Sequence, residues 1–134
     1  MATTVTRVFR PLNADIDQKS LTADTTLDAG DTNTTIFLDA IGEAVLLPAP
    51  LAGLKYPFIV TEAIVTSSWT IAATGALIFG SVTEAGLVQL ASAETTITIV
   101  FTKAIKGDWF TLEADGTSWY LKGQLSVAGS LTTA

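Results

Sequence analysis

From Thr34 onward the chain is written in short runs whose apolar residues recur at every second position. Ile36 and Leu38 alternate with Thr35, Phe37 and Asp39; Val45 and Leu47 run up to the break at Pro48-Ala49-Pro50. Phe58, Val60 and Ile64 share one face, and Trp69 and Ile71 alternate with Ser68 and Thr70. Leu77–Phe79 and Leu87–Leu90 are short apolar runs bounded by Gly75, Gly80 and Gly86. Ile97, Ile99 and Phe101 then oppose Thr96, Thr98, Val100 and Thr102. A period of two is the mark of a half-buried strand, and short strands at intervals of about 8–12 residues predict an antiparallel sandwich or barrel. Threonine fills many of the polar positions, where its β-branch favours extended backbone without adding charge. The expected fold is all-β: an antiparallel β-sandwich or β-barrel, jelly-roll or β-tulip-like, behind an extended N-terminal arm.

Gly107–Gly123 predicts its own pairing. Asp115-Gly116 is a strong signal for a two-residue hairpin loop, because a type I′ turn needs positive φ at both central residues. That loop sets Leu112 opposite Trp119 and Phe110 opposite Leu121 on one face. The other face then pairs Trp109 with Lys122, Thr111 with Tyr120 and Glu113 with Ser118. The first set is expected to be core. Trp109 and Tyr120, with Phe37 out of phase with its neighbours, are candidates for a subunit or ligand surface. The plainer reading covers Trp109 with Lys122 in a cation–π contact.

The first 33 residues read differently. Val5, Val8, Phe9, Leu12, Ile16, Leu21 and Leu27 are isolated among Thr, Asp and Asn. Their spacing fits neither a sustained helix nor a long strand, so residues 1–33 are expected to be an extended arm with one short strand around Val5 to Phe9. Residues 34–125 form the expected β-domain, and 126–134, small and polar, an expected flexible tail.

Composition narrows the function. With 134 residues and 49% apolar content the chain can bury a sizeable single core. No apolar run approaches the ~20 residues of a spanning helix, so no membrane partner is expected. Arg7 and Arg10 have no apolar stretch behind them, so no signal peptide is expected either. Thirteen acidic against seven basic residues give a net charge of −6, which argues against nucleic acid as a partner. Cysteine and histidine are absent. Disulfides are therefore excluded, and the commonest metal ligand and general base are missing.

The remaining candidates for chemistry are weak. Asp108, Glu113 and Asp115 could suggest paired carboxylates, but the hairpin register makes them turn and surface acids. Asp28–Asn33 has carboxylate spacing without the full calcium-loop pattern or its bidentate Glu, and reads as a solvated turn. Serine and threonine nucleophiles have no histidine to activate them. No enzyme activity, cofactor or metal is expected.

Several of these short motifs resemble small phage virion proteins. Gly107-Asp108-Trp109, then Asp115-Gly116-Thr117, Trp119-Tyr120 and Gly123 look like a C-terminal signature of that group. Val45–Pro48, Gly53–Val60, Ser68–Ile71 and Ile78–Ser81 resemble its upstream strands, so the likeness covers about residues 44–123. Among such proteins the resemblance points to a head decoration (cement) protein. It implies a homotrimer made in the host cytoplasm and bound to the outer surface of the virion head. There it would bridge neighbouring major capsid proteins and hold the shell against internal DNA pressure. The arm would be the capsid anchor, through Val5, Arg7, Val8, Phe9, Arg10 and Leu12. The alternative is a tail or fibre-associated module that binds a host surface glycan or another tail protein.

Overall fold

A computed structural model describes residues 18–134. Twelve strands form two sheets: β1 (Gln18–Leu21), β2 (Thr25–Thr26), β3 (Thr35–Leu38), β4 (Ala44–Leu47), β5 (Lys55–Val60), β6 (Trp69–Ala73), β7 (Ile78–Glu84), β8 (Leu87–Glu94), β9 (Thr96–Ile99), β10 (Trp109–Ala114), β11 (Trp119–Leu125) and β12 (Leu131–Thr133). The larger sheet has seven strands in the order β1-β3-β5-β10-β11-β7-β8, the smaller five in the order β12-β9-β6-β4-β2. The two pack face to face as an all-β sandwich.

The sheets are mixed, which corrects the antiparallel expectation. β1, β3 and β5 run parallel in the large sheet, and β2, β4 and β6 run parallel in the small one. The chain therefore winds as a coil through its first six strands, laying one strand in each sheet per turn. Each crossover passes to the opposite sheet and back, so parallel neighbours need no intervening helix. Alternation of apolar and polar residues records which face a side chain takes and is blind to strand direction. The winding left no trace in it.

The core lies between the sheets. Ile36, Leu38, Tyr56, Phe58, Phe110, Leu112, Trp119 and Leu121 point inward from the large sheet; Val45, Leu47, Trp69, Ile71, Ile97 and Ile99 do so from the small one. Phe58 and Phe110, directly paired across β5 and β10, stack with centroids 4.6 Å apart. Tyr56 stacks on Trp119 at 5.6 Å, and its hydroxyl donates to the Asp28 carbonyl at 2.6 Å. The Trp69 indole N–H donates to the Asp39 carbonyl at 3.1 Å. The Trp119 indole N–H is buried and finds no partner among the described residues.

The hairpin keeps its predicted faces and shifts its pairs. Leu112 lies opposite Leu121, Ala114 opposite Trp119, and Trp109 opposite Gln124. The Asp115 N–H donates to the Ser118 carbonyl, so the two-residue loop is Gly116-Thr117, one step later than expected. Asp115 causes the step. Its Oδ1 accepts from the N–H groups of Thr117 and Ser118, both at 2.8 Å, which closes the turn around Gly116 at φ 101°. Glycine at the first central position with positive φ is the requirement of a II′ loop. Moving the loop by one residue moves each partner by two, which leaves every side chain on its original face.

Both predicted boundaries move outward. Residues 18–33 belong to the sandwich: β1 and β2 pair in the two sheets, and Leu21 and Leu27 are buried. Between β2 and β3 a short 3-10 turn, Ala29–Asp31, is capped reciprocally by Asp28 and Asp31. The C-terminal segment is also built in, as β12 pairs with β9 and Ser130 and Leu131 are buried. Two buried carboxylates hold it. Asp108 Oδ1 accepts from the Ser126 N–H at 3.0 Å and from its hydroxyl at 2.8 Å, while Oδ2 accepts from the Ile105 N–H at 3.0 Å. Glu84 Oε2 accepts from the Leu131 N–H at 2.6 Å. The bonds from Ser126 to Asp108 and from Leu131 to Glu84, between residues far apart in the chain, are what a reading of local composition missed.

Candidate functional site

The outer face of the seven-stranded sheet carries Trp109 and Tyr120, two of the exposed aromatic residues. Register alone makes the rows. Trp109 pairs with Ile59, and Ile59 with Phe37, so the three side chains sit side by side on β10, β5 and β3. With strands about 4.8 Å apart, this row is about 10 Å long. On the other flank Tyr120 pairs with Phe79, their rings 6.3 Å apart. Trp109 is 41% exposed and Tyr120 44%. Phe37, Trp109 and Tyr120, three residues singled out by sequence, thus share one face.

A charged cluster separates the aromatic groups. Lys122 bonds Glu113 at 2.9 Å, and Lys55 approaches the same carboxylate at 3.9 Å. The hydrogen bond from Lys122, with the charges of Lys122 and Lys55, holds the Glu113 carboxyl below its ordinary value. Lys122 is therefore engaged by Glu113 and faces Thr111 across the hairpin, not Trp109. This replaces the expected cation–π cover of Trp109. The indole instead lies between Gln124 and Ile59 in register.

At the hairpin tip the Tyr120 hydroxyl donates to Asp115 Oδ2 at 2.8 Å. The N–H groups of Ser118 and Thr117 and that hydroxyl hold the Asp115 carboxyl below its ordinary value, and the same bond raises the Tyr120 phenol above its own. The tip is a self-contained network that fixes the Tyr120 ring on the outer face.

Of the three acids weighed for catalysis, Glu113 and Asp115 are surface groups with structural partners. Asp108 is buried, which corrects its reading as a surface acid; its Oδ1 is taken up by Ser126 of the C-terminal segment and its Oδ2 by the Ile105 N–H. Among the described residues no group of three acids, histidines or cysteines is placed to hold a metal ion, and no helix is long and apolar enough to cross a membrane. The hairpin residues Phe110, Leu112, Trp119 and Leu121 lie in the core, and Asp115 and Gly116 form the turn. The proposed anchor residues Val5, Arg7, Val8, Phe9, Arg10 and Leu12 lie outside the described residues.

Sequence reasoning missed two contributors to the surface. Ile59 was not singled out, although its pairing with Phe37 and Trp109 completes the row. β8 forms one border of the large sheet and exposes Leu87, Val88 and Leu90 at 67%, 67% and 63%. The Leu87–Leu90 run was legible as apolar, but its place at a sheet edge depends on pairing that local text does not encode. An exposed apolar edge of this length offers both unpaired backbone groups and hydrophobic surface to another chain.

No protein-family model, curated protein or solved structure matches this chain.

Proposed function

We propose that this protein is a phage head decoration protein that binds the outer surface of the capsid and bridges neighbouring major capsid proteins. The observation that carries the reading is the outer face of the large sheet. It is a broad surface on which Phe37, Ile59 and Trp109 make an apolar row beside the charge cluster of Glu113, Lys122 and Lys55. Aromatic anchors ringed by polar groups are the composition of protein–protein contact surfaces. The described acids that could serve as catalysts are already committed to turns, ion pairs and the C-terminal latch. The sequence resemblance to small phage virion proteins supplies the partner.

The mechanism is mechanical. Each copy contacts two capsid subunits through a face too stiff to follow their separation, so pulling them apart requires the apolar row to be exposed again. Self-association, expected as a homotrimer, uses the β8 edge with Leu87, Val88 and Leu90. Three linked copies then bind more firmly than one, because the second and third contacts form within one assembly.

Changing Trp109 to Asp places a charge at one end of the apolar row without touching the core. The variant is expected to fold, by circular dichroism and thermal melting, and to lose head occupancy in sedimentation with purified heads. Undiminished occupancy would remove the outer face from the account. The exposure of Trp109 and Tyr120 also favours a second reading, a tail or fibre module that stacks a sugar on these rings. Binding of host-surface glycans that Trp109→Ala abolishes would select it.

A further inference from the structure

Strand directions bring six connections to one end of the sandwich. Taken across the sheets from the β1 and β2 side, their order is 22–24, 39–43, 61–68, 100–108, 126–130 and 85–86. Solvated turns favour Gly, Pro, Asn, Asp and Ser. This end instead presents Ile41, Val65, Phe101, Ile105 and Val127, between 38% and 64% exposed. Among the described residues the connections of the opposite end expose two large apolar side chains, Leu51 and Leu77. The apolar tips are also tied together. The Val65 N–H donates to the Ala40 carbonyl at 3.1 Å and the Ser67 hydroxyl to the Gly42 carbonyl at 2.7 Å. The Thr102 N–H donates to the Ile64 carbonyl at 2.7 Å, and the Val100 N–H to the Ser130 carbonyl at 2.8 Å. An apolar ridge therefore crosses the end, assembled before any contact is made.

Charge divides the same end in two. Asp24, Asp39, Glu43 and Glu62 stand on the half nearer β1 and β2; Lys103 and Lys106 stand on the half nearer β8 and β12. Glu84 and Asp108, the other charged groups at this end among the described residues, are buried. Lys103 extends over 126–130, where a Cβ at Gly129 would lie 2.8 Å from its Nζ. On the acidic half a hydrogen bond with Asp24, burial, and the charges of Asp24 and Asp39 raise the Glu43 carboxyl above its ordinary value. An approaching ammonium group relieves that crowding.

We propose that this end docks on the same end of a second copy, about a two-fold axis that passes between 61–68 and 100–108. The axis reverses the order of the tips. Val65 then meets Phe101 and Ile105, Ile41 meets Val127, Lys103 faces Asp39 and Glu43, and Lys106 faces Glu62. A foreign partner would need both charges in the opposite order along an apolar ridge; a second copy supplies that order by symmetry. Seven strands about 4.8 Å apart and two sheets about 10 Å apart, with side chains on both outer faces, make the end about 29 by 20 Å, or about 600 Å². A stable complex buries about 800 Å² per partner, so the pair exchanges with single copies. The contact uses neither the outer face of the large sheet nor Leu90, and it stands independently of the capsid reading.

The chain has no cysteine, so Thr66→Cys takes one nitroxide label, at the middle of this end. The labelled full-length ¹⁴N protein is mixed with ¹⁵N protein that carries no label, with Leu90→Asp in both components to keep the β8 edge out of the measurement. The amide signals of Ile41, Phe101 and Val127 in the unlabelled copies are expected to broaden, and to sharpen again on reduction of the label. Signals of residues 28–31 and 115–118, at the opposite end, should not change. Lys103→Glu with Lys106→Glu in both components should abolish the broadening, and adding Glu43→Lys with Glu62→Lys should restore part of it. Absence of broadening at the highest soluble concentration would overturn the proposal. So would broadening of residues 28–31 and 115–118, which means head-to-tail contact, or broadening that survives the lysine reversal.

Discussion

Removing the Asp108 carboxylate tests how the C-terminal segment is held. In Asp108→Ala the N–H and hydroxyl of Ser126 and the N–H of Ile105 lose their common acceptor. A hydrogen bond to a charged group contributes about 1.5–3 kcal/mol, so three independent bonds would suggest about 4.5–9. They are not independent, because one carboxylate serves all three and Ser126 supplies two of them. Ser126 and Ile105 are also exposed, so water can recover part of the loss. The expected cost is about 3 kcal/mol, at the upper end of ordinary substitutions. Denaturant unfolding followed by tryptophan fluorescence reads it directly, since Trp69 and Trp119 are fully buried. Asp108→Asn should fall between the variant and the wild type: its amide oxygen can still serve Ser126, while its NH2 meets the Ile105 N–H. Hydrogen exchange should accelerate first in residues 126–134. A loss below about 1 kcal/mol, or exchange that rises uniformly over the chain, would refute the latch.

Three further outcomes follow from the core and the hairpin. Trp119→Ala should cost about 3–5 kcal/mol in the same unfolding assay, whereas Trp119→Phe should cost much less because the indole N–H has no bond to lose among the described residues. Gly123→Ala should destabilise by about 1–3 kcal/mol or more, because a Cβ there would lie 2.5 Å from the Trp109 carbonyl oxygen and 2.6 Å from the Phe110 Cβ; an unchanged melting temperature would contradict the close approach of β10 and β11. Asp115 is held below its unfolded value, so its contribution is present above about pH 4 and is lost as the pH falls through its folded value. Asp115→Asn should therefore be less stable than wild type at pH 7, with the difference shrinking as the pH is lowered below about 4, as read by melting curves across that range.

Much of the large sheet was legible because its information is local. The two faces of the hairpin follow from alternation, and they survive the shift of the loop because partners move in steps of two. The turn itself was misplaced by one residue for a reason that lies in a side chain. Asp115 spends its carboxylate on Thr117 and Ser118, which makes Gly116 the first loop residue. The mixed topology was hidden because Ile36, Leu38, Phe58 and Val60 would alternate identically in parallel or antiparallel strands.

The ends were hidden for a different reason. Leu21 and Leu27 are single apolar residues in polar text, yet the coil carries each of them into the core. Ser130 and Leu131 look like a frayed terminus until Glu84, 47 residues earlier in the chain, is seen to bond Leu131. For the surface, sequence could mark Phe37, Trp109 and Tyr120 as out of place in a core pattern. Only the pairing of β3, β5 and β10 placed Phe37, Ile59 and Trp109 in one row.

The central claim is that this sandwich covers the outside of a phage head. Its most direct test is imaging of purified particles assembled with and without the protein, with the bound copies counted and located. The account predicts density distributed over the whole outer surface of the head, at sites between capsid subunits, with the large sheet toward the shell and with heads lacking the protein rupturing at lower temperature. Bare heads, or a few copies confined to the tail, would contradict it.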